Sequence, residues 1–136
     1  MRMEYSAGAI IYRKINNKHE FLIVQSLWHK TWGFPKGHLK DNETNLQAAH
    51  REVFEETGLK PDFLSKFKTS LIYPVASGQD KTVTLFLAQF NENQTPNWQP
   101  EEIVDGKWVN LEVAEKMLSR PALVDCLKKA DHFLKK

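Results

Sequence analysis

The sequence lacks the cysteines, long apolar runs and excess positive charge that are typical of secreted, membrane-spanning and duplex-DNA-binding proteins. It contains one cysteine, Cys126, which excludes an internal disulfide framework and a multi-cysteine zinc site. Its longest uninterrupted apolar run, residues 7–12, is far shorter than the roughly 18 to 20 residues of a membrane helix. The first residues include Glu4 and show no signal-peptide pattern. We therefore expect a soluble cytoplasmic protein with no membrane partner.

Neither sign of charge dominates the chain. The 19 Lys and Arg residues against 17 Asp and Glu leave a net charge of +2. Non-specific affinity for duplex DNA comes from many phosphate contacts, so this balance predicts no duplex-DNA partner and requires any anionic ligand to bind at a local site. No repeat or composition break divides the 136 residues. Length and composition predict one domain over residues 1–136, and no pattern indicates an oligomeric state.

Five segments rich in aliphatic, aromatic and β-branched residues are typical of strands. The Asn16 and Asn17 pair between the first two tolerates positive φ and predicts a tight turn, and Ser77 with Gly78 predicts a second turn. Residues 91–100, rich in Asn, Gln and Pro, predict an exposed loop. The predicted strands are residues 5–13, 20–25, 66–73, 81–90 and 106–109.

Two regions have helical periodicity. The first is predicted over residues 45–57, with Leu46, Ala49 and Val53 on its apolar face. The second begins after Asn110 as a possible cap, breaks at residues 119–121 and resumes. Strands on both sides of a helix, followed by terminal helices, predict a sheet between helical layers. The remaining signals are a Thr44 and Gln47 capping box, Gly58 at the end of the first helix, the stripe Leu123, Leu127, Ala130 and Leu134, and a buried Cys126 beside that stripe.

Three glutamates share one face of the first helix. Glu52, Glu55 and Glu56 fall within about 100° of arc, and we expect them opposite the apolar stripe. A solvated surface is the ordinary interpretation of such a group. However, Glu52 and Glu56 are a like-charge i, i+4 pair, and within the helix only Arg51 offers relief. A divalent cation would turn that repulsion into coordination, and oxygen-only ligands suit Mg²⁺ or Mn²⁺.

The same helix lies within a longer motif. Residues 37–59, GHLKDNETNLQAAHREVFEETGL, match the pattern G-x5-E-x7-R-E-U-x-E-E-x-G-U, in which U is aliphatic. Seven fixed identities at about one in twenty each give a chance match on the order of 10⁻⁹ per starting position. The pattern is the signature of the Nudix hydrolases, which this chain resembles. The matched positions are Gly37, Glu43, Arg51, Glu52, Val53, Glu55, Glu56, Gly58 and Leu59.

The resemblance implies a fold and a reaction. The fold is an α/β/α sandwich with a mixed sheet and a loop, helix, loop catalytic unit, and the reaction is hydrolysis of a nucleoside diphosphate linked to another group. Divalent ions are needed there because they neutralise the polyphosphate and activate the attacking water. The resemblance assigns the metal to Glu52 and Glu56, with Glu55 and often the Gly37 carbonyl adding to the site, while Arg51 orients the glutamates and Glu43 braces the unit.

A further acid is expected before the last predicted strand, where many Nudix proteins place a supporting glutamate. Glu102 is the preferred metal ligand in this region, and Glu101 is the competing identity. A solvated loop acid is the alternative to both. For the general base, Glu52 is the first candidate and Glu102 the second.

Residues 35–38 indicate a subgroup of the family. They read P-K-G-H, which resembles the asymmetric diadenosine tetraphosphate hydrolases, although Phe34 stands where many relatives have proline. Lys36 and Lys81 offer positive charges for the outer phosphates, and His38 can donate to a phosphate oxygen or to the scissile bridge. The other four histidines are expected to be surface or packing residues. The candidates for stacking on adenine are Tyr73, Trp28 and Trp98, of which Tyr73 is preferred.

The leading hypothesis is a Mg²⁺-dependent pyrophosphohydrolase that cleaves the small-molecule nucleotide diadenosine tetraphosphate to ATP and AMP. The nearest alternative is another Nudix activity, on nucleoside triphosphates, on 5′-triphosphorylated RNA or on diphosphoinositol polyphosphates. A non-catalytic nucleotide-binding module is a third possibility. The complete set of acids disfavours it, because a binding module can discard them.

Overall fold

A mixed sheet of seven strands forms the centre of the structure, a computed structural model that describes residues 3–75 and 78–136. The strands follow the order β3-β2-β1-β6-β5, while β4 pairs with β1 and β7 pairs with β2. The β1 and β6 pair is parallel and the other pairs are antiparallel. The elements are β1 (Met3–Ile15), β2 (Lys18–Ser26), β3 (Trp32–Gly33), β4 (Lys36–His38), α1 (Asn45–Thr57), β5 (Asp62–Pro74), β6 (Asp80–Gln89), β7 (Ile103–Val109), α2 (Leu111–Met117) and α3 (Pro121–Leu134).

The five predicted strands are present as β1, β2, β5, β6 and β7, with shifted ends. Asn16 and Asn17 adopt φ values of 51° and 64°, which confirms the tight turn between β1 and β2. The second predicted turn includes Ser77, which lies outside the described residues; Gly78 has a φ of 82°. The sequence pattern missed β3 and β4 because strands of two and three residues carry no readable alternation.

The helices agree with the predictions. The Thr44 hydroxyl accepts from the Gln47 N–H at 3.1 Å, and Gly58 ends α1 with a φ of 73°. Asn110 caps α2 by accepting from the Val113 N–H at 2.9 Å. The break between α2 and α3 falls at residues 118–120, as the sequence indicated. None of the helices in residues 3–75 and 78–136 is both long and apolar enough to cross a bilayer.

The sheet lies between two helical layers, as predicted. Alternate β1 residues face opposite sides: Ala9 and Ile11 pack with Val53 of α1, whereas Ile10 packs with the residues of α2 and α3. Cys126 of α3 is buried in that second core, and burial raises the pKa of its thiol. This agrees with its expected role as a small hydrophobe.

Two of the three residues predicted for the apolar face of α1, Ala49 and Val53, are fully buried, and Leu46 is the exception. Leu46 is 44% exposed, whereas Ala48 and Ala49 are fully buried against the sheet. Small alanine side chains let the helix approach β1 and β4 closely, which Leu46 would prevent. Glu52 follows Ala48 by one i, i+4 step and Glu56 follows Glu52 by another, so these carboxylates border the buried face. The expectation that they lie opposite the apolar stripe is therefore wrong.

Candidate active site

Arg51 joins the helix to the loop that precedes it. Its Nε and Nη2 donate to both oxygens of Glu43 at 2.6 and 2.9 Å. Its Nη1 donates to Glu52 at 2.7 Å and to Glu55 at 3.1 Å, and Nη2 also reaches the His38 carbonyl at 2.9 Å. The hydrogen bond from Arg51 lowers the pKa of Glu43 to about 2, and these carboxylates raise the pKa of Arg51. The planar guanidinium thus fixes several acids at once.

Gly37 leaves room for the carboxylate of Glu52. A Cβ added at Gly37 would lie 1.9 Å from Oε2 of Glu52, an impossible contact. The Gly37 backbone sits in β4, which pairs with Ala7 of β1 and so cannot shift freely. A side chain at this position would force the Glu52 carboxylate to move away, so Gly37 allows this carboxylate to lie against the strand.

Glu56 reaches the same region from the next turn of α1. Its Oε1 accepts from the Lys36 N–H at 3.3 Å. Burial, and then the negative charge of Glu52, raise the pKa of Glu56 to about 8, while the Lys36 ammonium opposes the shift. The charged form of Glu56 is therefore poorly compensated within the protein.

A cleft of about 780 Å³ opens beside these acids. Its walls bring Glu56 and Glu102 together with Lys36, Lys81 and Tyr73. Burial lowers the pKa of both lysines, and the positive charge of Lys81 lowers the pKa of Lys36 further. One cleft therefore contains both carboxylates and ammonium groups, a combination that suits a divalent cation and a polyphosphate.

The two candidate acids before β7, Glu101 and Glu102, differ in their position relative to the cleft. Glu102 lines the cleft, and its negative charge contributes to the raised pKa of Glu56. Its carbonyl accepts from the Leu27 N–H at 2.8 Å, which ties this segment to the loop after β2. Glu101 is exposed and is not part of the cleft wall.

Other predicted site residues lie elsewhere. The His38 side chain is 63% exposed, with Nε2 3.4 Å from Glu4, and it lines a second depression instead of the cleft. Trp98 packs on Gly106, where a Cβ would come within 2.3 Å of the indole, so it is not the exposed ring expected of loop 91–100. Trp28 is 72% exposed and lies outside the cleft lining.

Loop 91–100 supports the end of α1. The Asn97 N–H donates to the Thr57 carbonyl at 2.8 Å, and the Gln99 N–H donates to the Glu56 carbonyl at 3.0 Å. These bonds satisfy helix carbonyls that would otherwise lack partners. The loop therefore fixes the backbone of Glu56 at the end of the helix.

The donor set is compatible in chemistry with a divalent cation. Within residues 3–75 and 78–136, no three His, Cys, Asp or Glu side chains converge closely enough to hold a metal ion. Instead, Glu52 and Glu55 share the Arg51 guanidinium. Burial and the negative charge of Glu52 disfavour the ionised form of Glu56, and a cation between Glu52 and Glu56 would stabilise that form.

Sequence reasoning missed two basic side chains of the cleft, those of Arg120 and His29. The Arg120 guanidinium lies 3.9 Å from the centroid of the Tyr73 ring. Arg120 precedes the helix-initiating Pro121, but that signal marks a helix start and says nothing about a cleft. His29, expected to be an ordinary surface residue, also lines the cleft.

Comparison with known proteins identifies the family and the fold. Residues 4–128 match the NUDIX domain model, and the chain belongs to the Nudix hydrolases. Along its length it is similar to an asymmetrical bis(5′-nucleosyl)-tetraphosphatase of Caenorhabditis elegans, with 33% identity over 132 residues and 95% of each chain covered. A C. elegans Ap4A hydrolase solved as a binary complex superposes with a TM-score of 0.92 at 32% identity, over 97% of this chain and 98% of that one. An RNA pyrophosphohydrolase of Bartonella bacilliformis is 31% identical over 119 residues, covering 74% of this chain and 68% of the relative.

Proposed function

We propose that this Nudix hydrolase cleaves diadenosine tetraphosphate to ATP and AMP, using Mg²⁺ or Mn²⁺, with residues 1–136 acting as one domain. The observation that carries the proposal is the likeness to an asymmetrical bis(5′-nucleosyl)-tetraphosphatase over 95% of both chains. The likeness includes the segments outside the catalytic helix.

The acids of α1 have the metal-holding role in this proposal. Glu52 and Glu56 are the principal ligands, and Glu55, Glu102 and the Gly37 carbonyl are the further ligands of the metal site. Bound divalent ions would neutralise the phosphate chain and make water a better nucleophile. Arg51 keeps the carboxylates oriented through its bonds to Glu43 and Glu52.

The remaining site residues bind the substrate or transfer the proton. Lys36 and Lys81 bind the phosphates farthest from the reacting bond, and Tyr73 belongs to the substrate-binding wall. Glu52 is the preferred general base and Glu102 the second candidate. His38 donates to the substrate only if its side chain leaves Glu4, since it now points into the second depression.

The products test the substrate assignment. Water attacks the phosphorus next to one adenosine, the bond to the neighbouring bridging oxygen breaks, and ATP leaves. Hydrolysis in ¹⁸O-labelled water is therefore expected to label AMP and not ATP. Two molecules of ADP, or faster turnover of a nucleoside triphosphate than of the dinucleotide, would contradict the assignment and leave the Nudix chemistry standing.

A matched pair of variants tests the metal site. Glu56→Gln is expected to lower turnover by on the order of 100-fold or more, because a charged ligand is lost. Glu101→Gln removes the same charge from outside the cleft and should retain activity. Equal rates with Mg²⁺ and with a chelator, or equal losses in the two variants, would reject the proposed metal site.

A second candidate function is removal of pyrophosphate from 5′-triphosphorylated RNA. It is favoured by the 31% identity to the RNA pyrophosphohydrolase over 74% of this chain. A short triphosphorylated RNA, assayed against diadenosine tetraphosphate at equal concentration, separates the two functions. Higher kcat/KM on the RNA would make it the better assignment.

A further inference from the structure

Arg120 is placed over the cleft by the connection between α2 and α3. It is the residue before the first turn of α3, and the preceding Ser119 donates from its N–H and its Oγ to the Trp32 carbonyl at 3.3 and 3.2 Å. Trp32 belongs to β3 and also lines the cleft. The backbone of Arg120 is therefore anchored both to a helix and to the cleft wall.

The Arg120 side chain stacks on an aromatic ring. Its guanidinium carbon is 3.9 Å from the centroid of Tyr73. Stacking uses the flat face of a guanidinium, whereas its N–H donors point outward in the plane. The contact therefore orients Arg120 and leaves its hydrogen-bonding edge available for an anion.

Arg13 also lies over an aromatic ring, but it differs from Arg120 because it forms an ion pair. Arg13 lies 4.5 Å from the Trp108 ring, but its Nη2 is 2.7 Å from a Glu20 oxygen, so its charge is already paired. In the described part of the chain, the ion pairs include neither Arg120 nor the two cleft lysines, Lys36 and Lys81. All three cations line the same cleft.

We infer that Arg120 binds the phosphate chain of the substrate as a third cation, and that Tyr73 is the positioning residue that holds its guanidinium. The inference rests on the proposed polyphosphate substrate. A planar, bidentate donor adds what the lysines lack, because it engages two oxygens in a fixed geometry. This contact with Arg120 is separate from the stacking on adenine for which the sequence favoured Tyr73.

Inorganic tripolyphosphate tests the inference because it has no base. Its affinity is measured by calorimetry on the Mg²⁺-loaded protein. Arg120→Ala and Arg120→Gln are both expected to weaken binding by at least about 10-fold, since a charge-assisted hydrogen bond is lost. Arg120→Lys should restore part of the affinity. Arg13→Ala, which removes the paired stacked arginine, should bind as the wild type does. Wild-type affinity in both Arg120→Ala and Arg120→Gln would overturn the inference.

Two variants test the part assigned to Tyr73. Tyr73→Phe keeps the stacking ring and should retain tripolyphosphate affinity, whereas Tyr73→Leu should weaken it about as much as Arg120→Ala. The double variant should lose little more than either single variant, because both remove one interaction. If Tyr73→Leu weakens binding of a nucleotide and leaves tripolyphosphate unaffected, Tyr73 contacts the base and its positioning role is wrong. These measurements need no cleavage, so a failed product assay for diadenosine tetraphosphate leaves their outcome readable.

Discussion

The pKa values of Glu43 and Glu56 are shifted in opposite directions by their surroundings. Glu43 meets the Arg51 guanidinium, and the hydrogen bond lowers its pKa to about 2. Glu56 meets burial and the charge of Glu52, which raise its pKa to about 8. The motif predicts both residues as functional but does not distinguish these states, because the difference comes from the strand and loop that pack against the helix.

The raised pKa of Glu56 predicts that the metal-free protein loses stability as the pH rises. Between about pH 4.5 and 8, folded Glu56 retains a proton that the unfolded chain has released, so the free energy of unfolding falls through this window. Urea unfolding in chelator near pH 5 and near pH 8 measures the fall. Glu56→Gln should remove on the order of 2 kcal/mol of it, whereas Glu101→Gln should keep it. Parallel pH profiles for wild type and Glu56→Gln would show that another group causes the fall.

At the scale of elements, the contact between α1 and β4 builds the site. The sequence predicted the ends of α1 because caps are local signals. It correctly placed Ala49 and Val53 on the buried face but chose Leu46 where the structure buries Ala48, because only the tertiary packing decides between these two positions. It also contained no sign that Arg120 and Tyr73 meet, since they lie in separate elements that only the complete fold brings together.

Gly37→Ala tests this element contact. A methyl group there would overlap the Glu52 carboxylate, which must turn away, and we expect turnover to fall by on the order of 100-fold while the fold is retained. Gly33→Ala in β3 is the control for adding a methyl group to the cleft wall, because Gly33 also lines the cleft and its Cβ would lie 3.7 Å from Leu123, an ordinary contact. Circular dichroism verifies folding and an assay on diadenosine tetraphosphate measures turnover. Comparable activity in the two variants would show that Glu52 does not depend on Gly37.

At the scale of the whole molecule, two cores on opposite faces of one sheet hold the three helices. The layer arrangement was predictable from the order of strands and helices together with the Nudix signature. The pairing of β4 and β7 outside the main strand path was not, because such short or late strands depend on partners distant in sequence. These two strands carry or flank the cleft residues, so the least predictable part of the sheet is next to the site.

The reactivity of the Cys126 thiol measures how readily the core beneath α3 opens. It is the only cysteine of the chain and is 2% exposed in the core between the sheet and α3. A thiol reagent is expected to modify the native protein at least about 1,000-fold more slowly than the unfolded protein, because access requires opening that core. Absorbance at fixed reagent concentration measures both rates, and Cys126→Ala gives the background. Native labelling within about tenfold of the unfolded rate would mean that α3 detaches readily.

The ion pairs of Arg51 with the nearby glutamates affect whether the protein can fold before it binds a metal ion. A guanidinium belongs to the chain itself, so Glu43, Glu52 and Glu55 have a cationic partner from the moment the helix docks. The polypeptide is therefore expected to complete folding during synthesis even in a cell starved of divalent ions. Under the proposed metal mechanism, the ion supply would then govern the rate of catalysis, and it would affect the stability of the folded protein mainly through Glu56, the carboxylate that is left poorly compensated.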